Sequence, residues 1–326
     1  WEDLGMLAGD NLTVNATGQF ADKNVARDLS GTVIDKTVTL SETFGGASIS
    51  NYSITAQGTA LAMISPKALD ISSAGLISAV DKTYDGSDTA TLDLSGLTPT
   101  ALGNNGLISG DEVVIAATGL FDNKNVVWDN NVIGSTIDTK TVNISYSALG
   151  GADAGNYSFT GQTTASNAKI THKAISVSGL TADDKIYDRL VNANIDDTNV
   201  VFNGLVGGDT VGINTVSGVF RNAGNTADDY NVGANKRVNL TTTYTGGDLG
   251  NYTITDQLTT TASITPKAIT VSGITVTDKV YDGTVDVASG AITAVINWAT
   301  VGVISGDTIS ASITGVYADK NVAYNG

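Results

Sequence analysis

The 326-residue chain contains no cysteine, which removes disulfide frameworks, thiolate metal sites and thiol nucleophiles at once. A single histidine, His172, excludes a multi-histidine zinc site and any triad that needs a second imidazole. Basic residues are scarce: 17 Lys and Arg stand against 33 Asp and Glu, a formal net charge of −16. A nucleic-acid groove replaces counterions with dense positive charge, so this balance excludes DNA and RNA as partners. No apolar run approaches the ~18 residues of a membrane span. The first ten residues, "WEDLGMLAGD", lack the basic start and apolar core of a secretory signal, and we read the chain as a segment of something longer or a processed product. With 3 prolines, 37 glycines and abundant Thr, Val, Ile, Asn and Asp, the composition suits short strands and tight turns.

What is present is repetition. "DKTYDG", "DKIYDR" and "DKVYDG" place Tyr84, Tyr187 and Tyr281 at spacings of 103 and 94 residues. "NYSIT", "NYSFT" and "NYTIT" begin at Asn51, Asn156 and Asn251, spaced 105 and 95. A Gly-Asp pair recurs at Gly9, Gly110, Gly208 and Gly306, each followed by an aromatic segment such as "GQFADKNVA" at 18–26 and "GVYADKNVA" at 315–323. Lys-Ala pairs at Lys67, Lys173 and Lys267 open the cycle again. The order never changes, and it divides the chain into the C-terminal part of a unit (1–66), two complete units (67–172 and 173–266) and the N-terminal part of another (267–326). A longer echo, in which Trp1 and Trp298 match at an offset of 297, predicts a higher-order repeat of three units.

Within a unit the apolar pattern has period two, as in "KTVNISYS" from Lys140, and Gly/Asn/Asp turn words separate the runs. No segment sustains helical periodicity. Seven or eight short strands per unit predict an all-β fold: tandem immunoglobulin-like β-sandwich repeats in a linear rod, with β-grasp-like units as the alternative. Asp153-Ala-Gly155-Asn-Tyr157 and Asp248-Leu-Gly250-Asn-Tyr252 follow the Asp-x-Gly-x-Tyr pattern of a tyrosine corner, whose phenol bonds back to backbone. Tyr52 departs from it, with Ser48 and Ser50 in the Asp and Gly places, so its corner is expected to be less well pinned. Structural roles are therefore expected for Tyr52, Tyr157 and Tyr252, and equally for Tyr84, Tyr187 and Tyr281. His172 stands where Pro66 and Pro266 stand in the other linkers, and is expected to have no catalytic role.

"KVYDGT" at 279–284, "GADAGNYSFT" at 151–160 and "ITPKAI" at 264–269 together resemble the YDG-type tandem repeats of filamentous-haemagglutinin-like bacterial surface adhesins. The resemblance covers essentially the whole chain. It implies a stalk or repeat region of a large secreted adhesin or fibre, located outside the cell or on its surface. Arg189 departs from the pattern, where Gly is usual after Tyr-Asp.

Candidate chemistry is confined to repeated positions. Asp10, Asp111, Asp209 and Asp307 recur beside a Gly in acidic turns and are candidate calcium ligands, although no EF-hand or nonapeptide motif is present. Asn51, Asn156 and Asn251 match the glycosylation acceptor pattern. Lys82, Lys185 and Lys279, with recurrent Asn, could form an internal isopeptide crosslink. The pairs Asp183-Asp184, Asp196-Asp197 and Asp228-Asp229 fall at different repeat phases and read as solvated turn acids, not a glycosidase dyad. Calcium is the one cofactor in view. The expected partners are neighbouring repeats of the same chain, other copies in a fibre and a surface ligand, for which Trp128 is the exposed candidate. The expectation is a structural segment without catalysis. A ligand-binding module, and a fibre subunit completed end to end by neighbouring chains, are the alternatives.

Overall fold

The structure, a computed structural model, describes residues 2–73, 75–128 and 136–323. Trp1 of the 297-residue echo lies outside the described residues. The molecule is all-β, built of layered sheets; the one α-helix among the described residues is the short Pro99–Asn104. It forms two compact units, Trp1–Lys173 and Ala174–Gly326.

In the first unit, Thr13–Phe20, Lys36–Gly45 and Thr59–Ala62 form an antiparallel three-stranded sheet. Residues 67–172 reuse that meander. Ala117–Phe121, Lys140–Tyr146 and Thr164–Ala168 pair in the same way, extended at the edge by Thr89–Ala90. Two parallel pairings are added: Lys67–Asp70 lies beside Tyr157–Thr160, and Lys82–Thr83 beside Ile170–Thr171. The strand that opens the unit thus returns to the strand that nearly closes it. Leu69, Ile71, Val142 and Ile170 are completely buried between these layers.

The second unit repeats the plan. Gly212–Phe220, Gly233–Thr245 and Thr259–Thr265 form the meander, with Asn192–Ala193 and Lys185–Ile186 at its edges. Lys173–Ser178 sits between Val201–Asn203 and Tyr252–Thr255. Val177, Leu180, Phe220, Val238, Leu240, Ala262 and Ile264 make its core. Alternation along each strand carries these residues inward, as period-two patterning requires. Residues 267–323 carry a single hairpin, Ile274–Val276 with Ile292–Ala294.

Candidate functional site

The recurrent aspartates lie in one kind of turn. The Asp10, Asp111, Asp209 and Asp307 amides donate to the carbonyls of Leu7, Ile108, Val206 and Ile304 at 3.0–3.2 Å. In three turns a tyrosine closes the site. The Tyr52, Tyr157 and Tyr252 hydroxyls accept the amides of Leu7, Ile108 and Val206 at 2.9, 2.9 and 3.1 Å. Each also donates to the aspartate: Tyr52 to Asp10, Tyr157 to Asp111 at 2.7 Å and Tyr252 to Asp209 at 2.6 Å. The phenol therefore does bond to backbone, but more than 40 residues upstream, and its proton goes to the Gly-Asp carboxylate. Hydrogen bonds to the charged form depress a carboxyl pKa. Asp10 is lowered by Tyr52 and then Ser48, and Asp111 by Lys23 and then Tyr157. The four calcium candidates lie in separate turns, and among the described residues no group of three or more His, Asp or Glu side chains is placed to hold a metal.

The corner explains the remaining motif letters. Gly46, Gly151 and Gly246 adopt φ of 115°, 99° and 137°, where a Cβ would collide with the carbonyl oxygen of residue 11, 112 or 210. A single 3₁₀ turn follows, at Ile49–Asn51, Ala154–Asn156 and Leu249–Asn251. The residue before it tethers the Gly-Asp turn: Asp153 accepts the Glu112 amide at 3.0 Å and Asp248 that of Thr210 at 2.9 Å. Ser48 accepts that of Asn11 at a longer 3.3 Å. Of the glycosylation candidates, Asn51 is exposed and Asn251 is buried. The Asn156 Nδ2, the atom a glycan would occupy, donates to Asn24 at 3.0 Å.

That last bond belongs to a joint between residues 1–66 and the following repeat. The turn Asp22-Lys23-Asn24 is tied by Asp22 Oδ1 accepting the Asn24 amide at 2.7 Å, and Lys36 Nζ bonds Asp22 Oδ1 at 2.6 Å and the Asn24 carbonyl at 2.8 Å. Lys23 then reaches Asp111 at 2.7 Å and Asp153 at 3.1 Å, and the Val25 amide donates to Asn156 Oδ1 at 2.9 Å. The same turn recurs at Asn123–Asn125, braced by the fully buried Lys140, so Asn123 and not Asp122 takes the place of Asp22. It recurs again at Asp229–Asn231, braced by Lys236.

In this third turn Tyr230 replaces the joint lysine, and a different loop supplies the cation. Arg189 Nη1 donates to the Ser305 carbonyl at 2.8 Å, its Nε lies 3.7 Å from Asp307, and its guanidinium packs over the Tyr230 ring at 5.9 Å. Tyr187 adds a hydroxyl bond to Asp307 at 3.0 Å, and its own pKa is raised by burial and then by that carboxylate. Arg189 has φ 65° where Gly86 and Gly283 have 83° and 81°, so the position demands a left-handed backbone. Joint aspartates in both units are thus met by a cation from the repeat before.

Lys82, Lys185 and Lys279 brace the Tyr-Asp turn. Lys82 Nζ bonds Asp85 at 2.8 Å and the carbonyls of Ser87 and Thr89 at 2.8 and 3.0 Å; Lys279 treats Asp282, Thr284 and Asp286 alike. Each ammonium also lies 5.3–5.9 Å from an aromatic ring, that of Phe121, Phe220 or Tyr317. A Lys–Asn isopeptide bond needs an Asn side-chain amide beside the ammonium, whereas the bonds these lysines make are to carbonyl, hydroxyl and Asp carboxylate oxygens. Tyr84 is 1% exposed and Tyr281 is 56% exposed. Trp128, expected to be exposed, is half-buried because its ring packs 4.4 Å from that of His172.

Sequence reasoning missed three residue sets: the bracing lysines Lys36, Lys140 and Lys236, the joint cations Lys23 and Arg189, and the glutamines Gln57, Gln162 and Gln257. The signal for the glutamines was present, six residues after each motif Asn. For Arg189 it was the coincidence, in one repeat, of a missing Gly and a missing Lys.

Among known proteins, a family model described as the YDG domain matches residues 65–165, 171–262 and 265–326. No curated protein matches the sequence. A solved structure of the surface layer protein SbsC, domains 4–9, aligns at 13% identity over 83% of this chain and 41% of that one, with a TM-score of 0.14. The chain thus spans less than half the length of that structure, and at this score the likeness carries no argument.

Proposed function

The chain belongs to the YDG domain family, and on that premise we propose that it is a non-catalytic structural segment, a stalk or fibre length, of a large secreted bacterial surface protein of the filamentous-haemagglutinin-like type. One observation carries the reading: the recurring polar residues are spent on the repeat itself and on its neighbour. The phenol of each Asn-Tyr motif binds a Gly-Asp carboxylate, and Asp111 also receives Lys23 from the preceding repeat. An enzyme concentrates its polar chemistry in a cleft unique to one place; here it is distributed in register. The role is mechanical, with sheet ladders and joints resisting extension.

Single-molecule pulling on the chain tests this. Residues 67–172 and 173–266 should unfold as separate force peaks, each releasing roughly 300 Å of chain at ~3.3–3.6 Å per residue. The peaks should be the same in calcium and in chelator. Extension without discrete peaks would sink the mechanical reading, and peaks seen only with calcium would turn the Gly-Asp residues from staples into ligands.

A further inference from the structure

The corners and braced turns recur along the chain; one constellation of charged side chains does not. In residues 173–266, Phe220 pairs with Val238 between the strands Gly212–Phe220 and Gly233–Thr245, and the Arg221 amide carries the ladder one step further, to the Arg237 carbonyl at 2.8 Å. Phe220 and Val238 are completely buried. Alternation therefore sets Arg221 and Arg237 opposite one another on the outer face of the sheet. Like charges directly opposite destabilise a sheet. The other copies avoid the pairing: the same places hold Ala21 and Thr37 in one, and Asp122 and Thr141 in the other. The chain has four arginines, and two of them meet here.

A run of hydrogen bonds holds the pair in place. Arg221 Nε donates to Asn225 Oδ1 at 3.2 Å, Asn239 Nδ2 donates to the same oxygen at 2.9 Å, and Arg237 Nε donates to Asn239 Oδ1 at 2.9 Å. Arg221 spends its outer nitrogens on the Asp228 carboxylate and the Asn225 carbonyl, and Lys236 is paired with Asp229. Among the described residues nothing accepts from Nη1 or Nη2 of Arg237, and no carboxylate lies within ion-pair reach of it. The backbone around the pair is unusual as well. Asn225 and Asn235 adopt φ 53° and 48°, two of the three side-chain-bearing residues with positive φ among those described, and Asn235 sits where the register slips between Gly233 and Lys236. These groups line an open groove of about 730 Å³, completed by Thr259, Thr260 and Thr261. Its lining has no apolar side chain larger than those of Ala223 and Ala234.

We infer that this groove binds an acidic polysaccharide, and that Arg237 grips a sugar carboxylate. A guanidinium meets a carboxylate through two parallel N–H bonds, and the Nε of Arg237 is already tied to Asn239, which leaves its two outer nitrogens as the fork. The charge is in the right place too: Asp228 and Asp229 neutralise Arg221 and Lys236, so Arg237 is the uncompensated cation of the groove. Thr259, Thr260, Thr261 and Asn235 supply the donors and acceptors that sugar hydroxyls use. A protein partner would anchor an aromatic or aliphatic side chain in an apolar pocket, and this lining offers none. The inference goes beyond the structural-segment reading: it places a ligand site on the flank of one repeat.

Isothermal titration calorimetry of the 326-residue chain with oligogalacturonate, a chain of uronic-acid sugars, tests it at ~0.15 M salt, where the acidic surfaces are screened beyond ~8 Å. The expected result is saturable binding that becomes at least ~10-fold weaker in Arg237→Gln, the loss of a charge-assisted bond. Arg237→Lys keeps the charge without the fork and should recover only part of that loss. Lys67→Gln removes the same charge from an exposed position outside the groove, and should leave binding within ~3-fold of the parent chain. Circular dichroism of each variant separates lost binding from lost folding. Absence of binding overturns the inference, as does binding indifferent to Arg237→Gln or fully restored by Arg237→Lys. Equal binding of a neutral galactan overturns the carboxylate, and equal binding of polyglutamate overturns the sugar. In each of these cases unchanged force peaks leave the structural-segment reading standing.

Discussion

"NYSITAQ" at 51–57 and "NYSFTGQ" at 156–162 are nearly the same words, yet they end in different states. Tyr157 and Gln162 are 5% and 8% exposed, whereas Tyr52 is half-buried and Gln57 exposed. Their local geometry does not differ: both tyrosines bond a Gly-Asp carboxylate, and both glutamines donate to the carbonyl two residues on. What differs is the strand laid against them, contributed from 85 residues upstream in the case of Ile77 and Gln162. A motif therefore dictates its own turn, while burial depends on a partner distant in sequence.

The largest expected effect breaks that comparison at the strand. Ile71→Ala should destabilise its unit by about 2–5 kcal/mol, the range for a fully buried Ile or Leu truncated to Ala. Val271→Ala, at a half-exposed position, should cost no more than ~0.5 kcal/mol in dilute solution. Denaturant midpoints followed by the fluorescence of Trp128 for the first variant, and by circular dichroism for the second, give the two values. Equal losses would mean that the two positions are equally buried in solution, and that the parallel partner strand does not set the difference.

Much of this plan was legible without coordinates, because a repeat repeats its errors and its rules alike. Val38, Val142 and Val238 follow a lysine by two in each copy, and that alternation predicted buried strand positions. The corner tyrosines were legible for the same reason, since Asp-x-Gly-x-Tyr is a short, contiguous signal. The phenol's acid partner was not, because Asp111 and Tyr157 are 46 residues apart and spacing alone does not show which of many turn acids meets a hydroxyl. The parallel pairing of the opening strand was equally hidden, since period two is the same in parallel and antiparallel ladders.

The next effect sharpens the comparison at the staple. Tyr157→Phe removes one acceptor from the Ile108 amide and one donor from Asp111, a loss of about 1–3 kcal/mol for a buried group left unsatisfied. Tyr52→Phe, at a wetter site, should cost less. Acid adds a signed test. Asp111 has a folded pKa below its ordinary 3.8 because Lys23 and then Tyr157 favour the carboxylate. Its stabilisation is complete above 3.8 and is lost as pH falls through the lower folded value. Asp282, held at about 2 by Lys279, sets the same window for residues 267–323. Wild type should therefore lose stability more steeply below pH ~4 than Tyr157→Phe, in melts read by circular dichroism. Parallel curves would mean that the hydroxyl does not support the charged carboxylate.

The smallest effect lies at the two joints, where the same aspartate position meets different cations. Lys23 is 66% exposed on its side chain, so its pairs with Asp111 and Asp153 are exposed to screening. Lys23→Met should barely move the melting temperature, and its visible signature should be the loss of salt dependence between ~0.05 and 1 M NaCl. Arg189 differs because it stacks on Tyr230 and donates to the Ser305 carbonyl, contacts that salt screens little. Its φ of 65° opposes it, since a left-handed backbone costs a side-chain-bearing residue roughly 1 kcal/mol. Arg189→Gly removes both the bonds and the strain, so the net change should stay under ~1 kcal/mol. Adding Tyr230→Lys to Arg189→Gly puts a lysine back at the tip of the turn. That double variant should acquire the salt dependence that Lys23→Met loses. If it does not, the third turn no longer points its tip at Asp307, and the exchange of cations between loops reflects a changed joint geometry and not a substitution of one charge for another.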